Sequence, residues 1–135
     1  LAKGQKVTSN NFRSKHSKFS PSNTLDGDST TYWATDDNIF PASLEIELNE
    51  KRTFDRILIQ EPIRFGQRIS EFEIDVMGDT SWKSVFKGTT IGYKRILRIP
   101  SVSTKKIRLR FTEANNTVAI SNVGLYKSSL REELK

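Results

Sequence analysis

The chain alternates hydrophobic and polar residues with a period of two over several short stretches. Leu44, Ile46 and Leu48 alternate with Glu45 and Glu47, which is the pattern of a β-strand that buries one face. The same signals predict further strands at residues 54–59, 72–76, 82–86, 95–99, 107–111 and 120–126, of which 54–59 is the more fully buried.

Turn-forming residues separate these stretches at fairly regular intervals, as at Gly88, Gly92 and Pro100-Ser101. No stretch before the tail keeps a helical apolar stripe for three turns, and only residues 128–135 predict a short helix or a frayed terminus. The opening forty residues are polar with irregularly spaced aromatics, which favours a long ordered loop region. The pattern as a whole predicts an all-β sandwich or barrel.

The composition is that of one globular domain. With 135 residues, of which 35% are hydrophobic and 28% charged, the chain is long enough to bury a single core. It contains no cysteine, which excludes disulfides, a thiol nucleophile and cysteine-ligated zinc. No stretch approaches the roughly 20 apolar residues that cross a membrane.

The net charge of +6 raises the question of nucleic-acid binding, because clustered Lys and Arg neutralise phosphates. The basic residues are scattered, however, and the densest run, residues 105–110, alternates with apolar residues. Arg108 and Arg110 are therefore expected on the solvent face of a strand. We predict no nucleic-acid partner and no membrane span.

A motif in the opening region carries a family resemblance. Leu25-Asp26-Gly27-Asp28, with Thr and Trp three and five residues beyond the second Asp, resembles the discoidin, or coagulation factor V/VIII type C, superfamily. Residues 57–61, 66–69 and 88–95 look like the C-terminal domain of bacterial and plant α-L-fucosidases. The resemblance implies a galactose-binding-domain-like jelly-roll β-sandwich of about eight antiparallel strands over residues 1–127, with residues 128–135 as a tail.

The same resemblance implies a structural Ca²⁺ ion, a cation that prefers six to eight oxygen ligands. The positions that match the calcium-binding members of the family are Asn23, Asp26, Asp28, Thr31, Ser121 and Asn122. Asn122 is neutral where the family often has Glu, which should lower the affinity. The alternative is that Asp26-Gly27-Asp28 is a turn whose carboxylates cap backbone amides.

No catalytic centre is predicted in these residues. Hydrolysis of a glycoside needs two carboxylates about 5–10 Å apart across a cleft, whereas Glu45, Glu47, Glu73 and Asp75 occupy outward strand positions. His16 is the only histidine. The resemblance implies that catalysis belongs to a separate barrel domain of a bacterial enzyme that is secreted, periplasmic or held at the cell surface.

Two functions from different classes remain open. The first is a domain that braces the catalytic domain of the same polypeptide, and the second is a carbohydrate-binding module for galactose- or fucose-type glycans. Carbohydrate-binding relatives tend to have an Arg at the end of the strand where this chain has Gln60-Glu61-Pro62, and an aromatic residue in the loop where it has Asn115-Asn116-Thr117-Val118. This chain shows neither feature at these positions. A third hypothesis is a discoidin module that binds a protein or a membrane.

The candidate ligand or interface residues come from the predicted loops. Trp33 is expected in the core rather than as a platform for a sugar, because burying an aromatic stabilises a fold by a few kcal/mol. Arg64 and Phe65 are candidates for a contact with the catalytic domain. The full set is His16, Trp33, Asp36, Asp37, Glu61, Arg64, Phe65, Gln67 and Arg68.

Overall fold

Eight antiparallel strands and one short 3-10 helix, Pro21–Leu25, make up the part of the chain that the structure describes. The structure is a computed structural model that describes residues 5–12, 19–26, 31–36, 41–62, 69–78, 80–89, 91, 94–114 and 118–127. The strands are β1 (Lys6–Ser9), β2 (Trp33–Ala34), β3 (Ala42–Gln60), β4 (Ile69–Met77), β5 (Trp82–Gly88), β6 (Lys94–Ala114), β7 (Ala119–Ile120) and β8 (Asn122–Tyr126).

The two longest strands, β3 and β6, run through both layers of the fold. The first half of β3 pairs with the second half of β6 in a five-stranded sheet of order β1-β3-β6-β4-β5. The second half of β3 pairs with the first half of β6 and with β8, and we call this part of the same hydrogen-bonded network the three-stranded sheet. Strands β2 and β7 form a separate two-stranded sheet. Register shifts between Glu47 and Arg52 and between Phe54 and Arg56 lie where the strand passes from one sheet to the other.

A single hydrophobic core joins the two sheets. The five-stranded sheet contributes Ile46, Phe72 and Phe111, and the three-stranded sheet contributes Ile57 and Leu125, all of them fully buried. Each lies at an inward position of the alternating pattern, so burial follows from the period of two. These features confirm the predicted all-β sandwich.

The continuity of β3 and β6 differs from the sequence-based prediction. Residues 54–59 and 95–99 were expected as separate strands, with a turn at Pro100-Ser101, but both residues lie inside β6. Proline cannot donate a hydrogen bond to a neighbouring strand. It is tolerated here because the register shift between Phe54 and Arg56 leaves the segment around Pro100 out of the regular ladder.

Asp75 occupies the outward strand position predicted for it, but its carboxylate is not solvated. The residue is on the outer face of the five-stranded sheet, yet it is only 2% exposed. Arg110 donates from Nε to Asp75 Oδ2 at 2.6 Å, and Arg108 donates from Nε to the same oxygen at 3.0 Å. Arg110 also pairs with Glu73, and the Arg108 guanidinium lies over the Trp82 ring, 4.5 Å from its centroid.

The two arginines decide the ionisation of this carboxylate. Burial of Asp75 opposes ionisation, but hydrogen bonds from Arg110 and Arg108, together with their charges, outweigh it and hold the pKa of the Asp75 carboxyl below its usual value. The same contact raises the pKa of Arg110. Arg108 and Arg110 are therefore half-buried members of an ion cluster between β4 and β6, and not free solvent-face charges as their alternation alone suggested.

Candidate functional site

Several of the candidate residues lie at one end of the sandwich, where β3 finishes and β4 begins. Gln60, the last residue of β3, pairs with both Lys94 and Asn122. The next residue, Glu61, is 2% exposed, and its Oε1 accepts a hydrogen bond from the backbone N–H of Ile69 at 3.2 Å. Glu61 thus ties the start of β4 to the end of β3, and we call this end of the molecule the loop end.

A hydrogen-bonded group at the loop end joins the segment after β1 to the segment after β2. Asn11 Nδ2 donates to Asp36 Oδ2 at 3.2 Å, and the Asp36 backbone N–H donates to Asn11 Oδ1 at 2.8 Å. The Trp33 indole N–H donates to the Asn11 carbonyl oxygen at 2.9 Å. Asn11 was not among the predicted residues, since an asparagine in a polar stretch gives no sign of its distant partner.

Trp33 is fully buried, as predicted. Its ring packs against Phe111 with a centroid separation of 5.9 Å, and β2, to which it belongs, pairs with β7 at Ile120. A ring with no exposed surface has no face to offer a sugar. Trp33 therefore supports the loop end from within.

Three of the predicted calcium ligands meet beside the 3-10 helix. The helix begins after Ser20, whose side chain accepts from the Ser22 N–H. Thr31 Oγ1 lies 2.5 Å from Asp26 Oδ2 and 3.5 Å from the Asn23 carbonyl oxygen. A carboxylate, a hydroxyl and a carbonyl oxygen thus converge. The Asn23 side chain also donates to the Tyr32 carbonyl oxygen at 3.1 Å, which ties the helix to the segment before β2.

The other two described members of the set, Ser121 and Asn122, lie at the start of β8. The Ser121 N–H donates to the Gln60 carbonyl oxygen at 2.8 Å, and Asn122 Nδ2 donates to Gln60 Oε1 at 2.9 Å. Strand β8 contacts the 3-10 helix, so the two halves of the set lie on neighbouring elements. Gln60 is the residue that orients Asn122, and its role could not be seen in the sequence because the two are 62 positions apart.

The donor set at the 3-10 helix fits a hard cation in its chemistry. Ca²⁺ takes carboxylate, hydroxyl and carbonyl oxygens together, and Asp26, Thr31 and Asn23 supply one of each. Within the described ranges no group of three or more His, Cys, Asp or Glu side chains is placed to hold a metal. Among the predicted calcium ligands that the structure describes, Asp26 is the one with a charged side chain.

The remaining candidates lie outside the described residues: His16, Asp28, Asp37, Arg64, Phe65, Gln67 and Arg68. The predicted tail, residues 128–135, also lies outside them. In the part of the chain that the structure covers, no helix has the length and apolar character needed to span a membrane.

Comparisons with known proteins agree with the geometry. Alpha-L-fucosidase 1 of Arabidopsis thaliana is 35% identical over 130 residues, which cover 93% of this chain and 26% of that protein. A GH29 fucosidase of Ruminococcus gnavus, solved in complex with fucose, superposes with a TM-score of 0.84 at 30% identity, over 94% of this chain and 26% of the enzyme. The chain spans about a quarter of the length of the curated relatives that it matches.

A carbohydrate-binding module shares the fold over nearly its whole length. The family 32 module of C. perfringens NanJ, solved with galactose, superposes with a TM-score of 0.81 at 17% identity, over 91% of this chain and 93% of the module. The F5/8 type C domain family matches residues 5–132. Both findings confirm the predicted discoidin-type sandwich, and the chain belongs to the F5/8 type C domain family.

Proposed function

We propose that this chain is the non-catalytic accessory domain of a secreted α-L-fucosidase, and that it braces the catalytic domain. The observation that carries the proposal is the extent of the match, which includes nearly the whole of this chain but only about a quarter of each fucosidase. The remaining three quarters of such an enzyme are long enough for a separate catalytic barrel. Secretion by a bacterium is part of the same proposal.

The described loop-end residues support a brace more than a lectin. Trp33 and Glu61 are buried, and both contact backbone atoms of neighbouring segments. Sugar-binding sites combine an exposed ring with polar groups that face the hydroxyls. The described part of the loop end offers polar groups such as Asp36 but no large exposed ring.

Calcium is the proposed cofactor of the turn beside the 3-10 helix, and we expect it to stabilise the folded chain. At a calcium concentration a hundredfold above the dissociation constant, the free energy of unfolding should rise by about 2.7 kcal/mol. Asp26→Asn should abolish most of this gain, because it removes the carboxylate that lies beside Thr31 in the predicted ligand set. Thermal unfolding with added calcium, and again with EDTA, measures both effects.

Glu45→Gln is the matched control for Asp26→Asn. It removes an exposed carboxylate on the five-stranded sheet, so its calcium response should equal that of the unmodified chain. Asn122→Glu should strengthen the response by adding a charged oxygen ligand. An identical midpoint with calcium and with EDTA would leave Asp26-Gly27-Asp28 as a turn and nothing more.

Carbohydrate binding is the second candidate function, favoured by the fold shared with the galactose-bound module. On the brace hypothesis, the isolated chain should bind fucosylated and galactosylated oligosaccharides with a dissociation constant on the order of millimolar, or not at all. The reason is that exchanged polar contacts net only about 0.5–1.5 kcal/mol each without a stacking ring. Titration calorimetry measures the constant directly.

A micromolar constant would overturn the brace hypothesis. Asp36→Ala then tells where the sugar sits, since it removes an acceptor at the loop end without entering the core. Loss of tight binding in Asp36→Ala would assign the sugar to the loop end. The control is Glu45→Gln, an exposed position on β3 opposite Thr8 of β1, and it should bind as the unmodified chain does.

A further inference from the structure

The outer face of the three-stranded sheet carries an unusual pair of exposed residues. Ile96 is 60% exposed and Tyr126 is 51% exposed, and they are the two large hydrophobic residues with high exposure in the described ranges. Single exposed hydrophobic residues are common on protein surfaces. These two, however, lie on the same face of the same sheet.

The strand register makes their surroundings continuous. Ile96 pairs with Leu58, which pairs with Gly124 on β8, so an apolar row crosses all three strands. The Tyr126 ring lies across Gly124, where an added Cβ would come within 2.6 Å of the ring. The absence of a side chain at Gly124 therefore lets the ring lie flat on the sheet.

The next row of outward side chains contains two arginines. In the strand register Arg98 lies opposite Arg56, and Arg56 lies opposite Tyr126. The Arg56 guanidinium contacts the Asp55 carboxylate at 3.2 Å, whereas Arg98 is exposed. Among the described side chains, no outward position of the three-stranded sheet carries a carboxylate. The five-stranded sheet is different, because Asp75 and Glu73 there neutralise its arginines.

We propose that this surface, the Tyr126 face (Arg56, Leu58, Ile96, Arg98, Gly124 and Tyr126), docks on a carboxylate-bearing surface of the rest of the same polypeptide. Aromatic residues and Arg are enriched at interfaces, and Asp and Glu are depleted, as they are on this face. Arg98 is exposed and the described outward positions of this sheet hold no carboxylate, so acidic groups on the opposing surface would complement its charge.

The proposal rests on the proposed function in one respect, that the chain is joined to a larger enzyme. A covalent link gives the second domain a high effective concentration, so even a small interface stays closed. The chain's length, about a quarter of that of its curated relatives, leaves the partner domain within the same polypeptide.

A single introduced cysteine tests the proposal, because the chain has none of its own. Ile96→Cys is made in the whole enzyme and in the isolated 135-residue chain, and the rate of alkylation is read by mass spectrometry of the peptide that contains residue 96. In the whole enzyme we expect the rate to fall by about tenfold or more, which corresponds to an undocked population of about a tenth or less. Ser84→Cys, exposed on the five-stranded sheet, is the control and should react equally fast in both.

Two further variants test the chemistry of the contact in the whole enzyme. Arg98→Glu should restore fast alkylation of Ile96→Cys, while Arg98→Lys should restore less. Gly124→Ala should also raise the rate, because it lifts the Tyr126 ring from the sheet. Equal alkylation of Ile96→Cys in enzyme and isolated chain would overturn the docking proposal.

The remaining outcomes are also decisive. Protection that depends on the concentration of the isolated chain would assign the face to self-association, and protection only with added oligosaccharide would assign it to a sugar. Either result overturns docking on the same polypeptide. Hydrolysis of a nitrophenyl fucoside by the same enzyme sample tests the proposed function separately, so the two ideas can fail independently.

Discussion

Replacing Asp75 by asparagine should lower the free energy of unfolding by about 2–4 kcal/mol. Both Arg108 and Arg110 donate hydrogen bonds to the Asp75 carboxylate. The change removes its negative charge, so two partly buried guanidinium groups lose their common anionic partner. The loss is moderated because the arginine side chains remain 26% and 29% exposed and can recover some hydration. Urea denaturation followed by circular dichroism measures the difference.

The dependence on pH distinguishes a charge effect from a packing effect. The pKa of Asp75 is lower in the folded chain than in the unfolded chain. An unperturbed aspartate has a pKa of about 3.9. The carboxylate therefore stabilises the fold fully above that value, and the contribution is lost as the pH falls through the folded pKa. The gap between the unmodified chain and Asp75→Asn should shrink over that acidic range.

Glu45→Gln is the control for this experiment. Glu45 is exposed on the same sheet face and pairs in register with Arg108, so its loss should cost less than about 0.5 kcal/mol. A gap between Asp75→Asn and the unmodified chain that stays constant with pH would contradict the charge explanation. Equal effects of the two substitutions would mean that burial of Asp75 adds nothing.

Trp33→Ala should lower the free energy of unfolding by about 3–5 kcal/mol, the cost of emptying a large aromatic site in a core. Trp33 is fully buried against Phe111, and its indole N–H supplies the hydrogen bond to the Asn11 carbonyl oxygen. Domains of this size are stable by only about 5–15 kcal/mol, so this variant will unfold readily. Denaturant titration followed by circular dichroism reports the change.

Trp33→Phe keeps the test informative if the alanine variant does not fold. It retains a ring beside Phe111 but loses the donor to Asn11, and we expect a cost of about 1–3 kcal/mol. Trp82→Phe is the control, since Trp82 is only half-buried on the outer face. If Trp33→Ala lost sugar binding without losing stability, Trp33 would be a platform and the core assignment would fail.

The strands and their faces could be predicted from the sequence, because the period of two records which side chains point inward. Residues 44–48, 72–76 and 107–111 all lie in strands with their apolar members buried. The burial of Trp33 followed from its size, and the family followed from a spaced motif beginning at Leu25. These are local signals, each contained within about ten residues.

The candidate site could be predicted only in part. The family resemblance named Asn23, Asp26 and Thr31, and the structure brings these three together at the 3-10 helix. Asn11 and Gln60 were missed because their partners are distant in the chain, Asp36 at 25 positions and Asn122 at 62. A propensity for turns or strands contains no information about such partners.

The alternation and the spaced motif are enough to predict an all-β domain of the F5/8 type C family with its apolar strand positions inward. Three features became visible only in the folded chain: β3 and β6 each run through both sheets, Asp75 is buried between Arg108 and Arg110, and Ile96 and Tyr126 share one face. Alternation fixes which side of a strand is apolar, but it does not say which strands are neighbours. Strand order and register set those neighbours, and they depend on contacts between residues far apart in the chain.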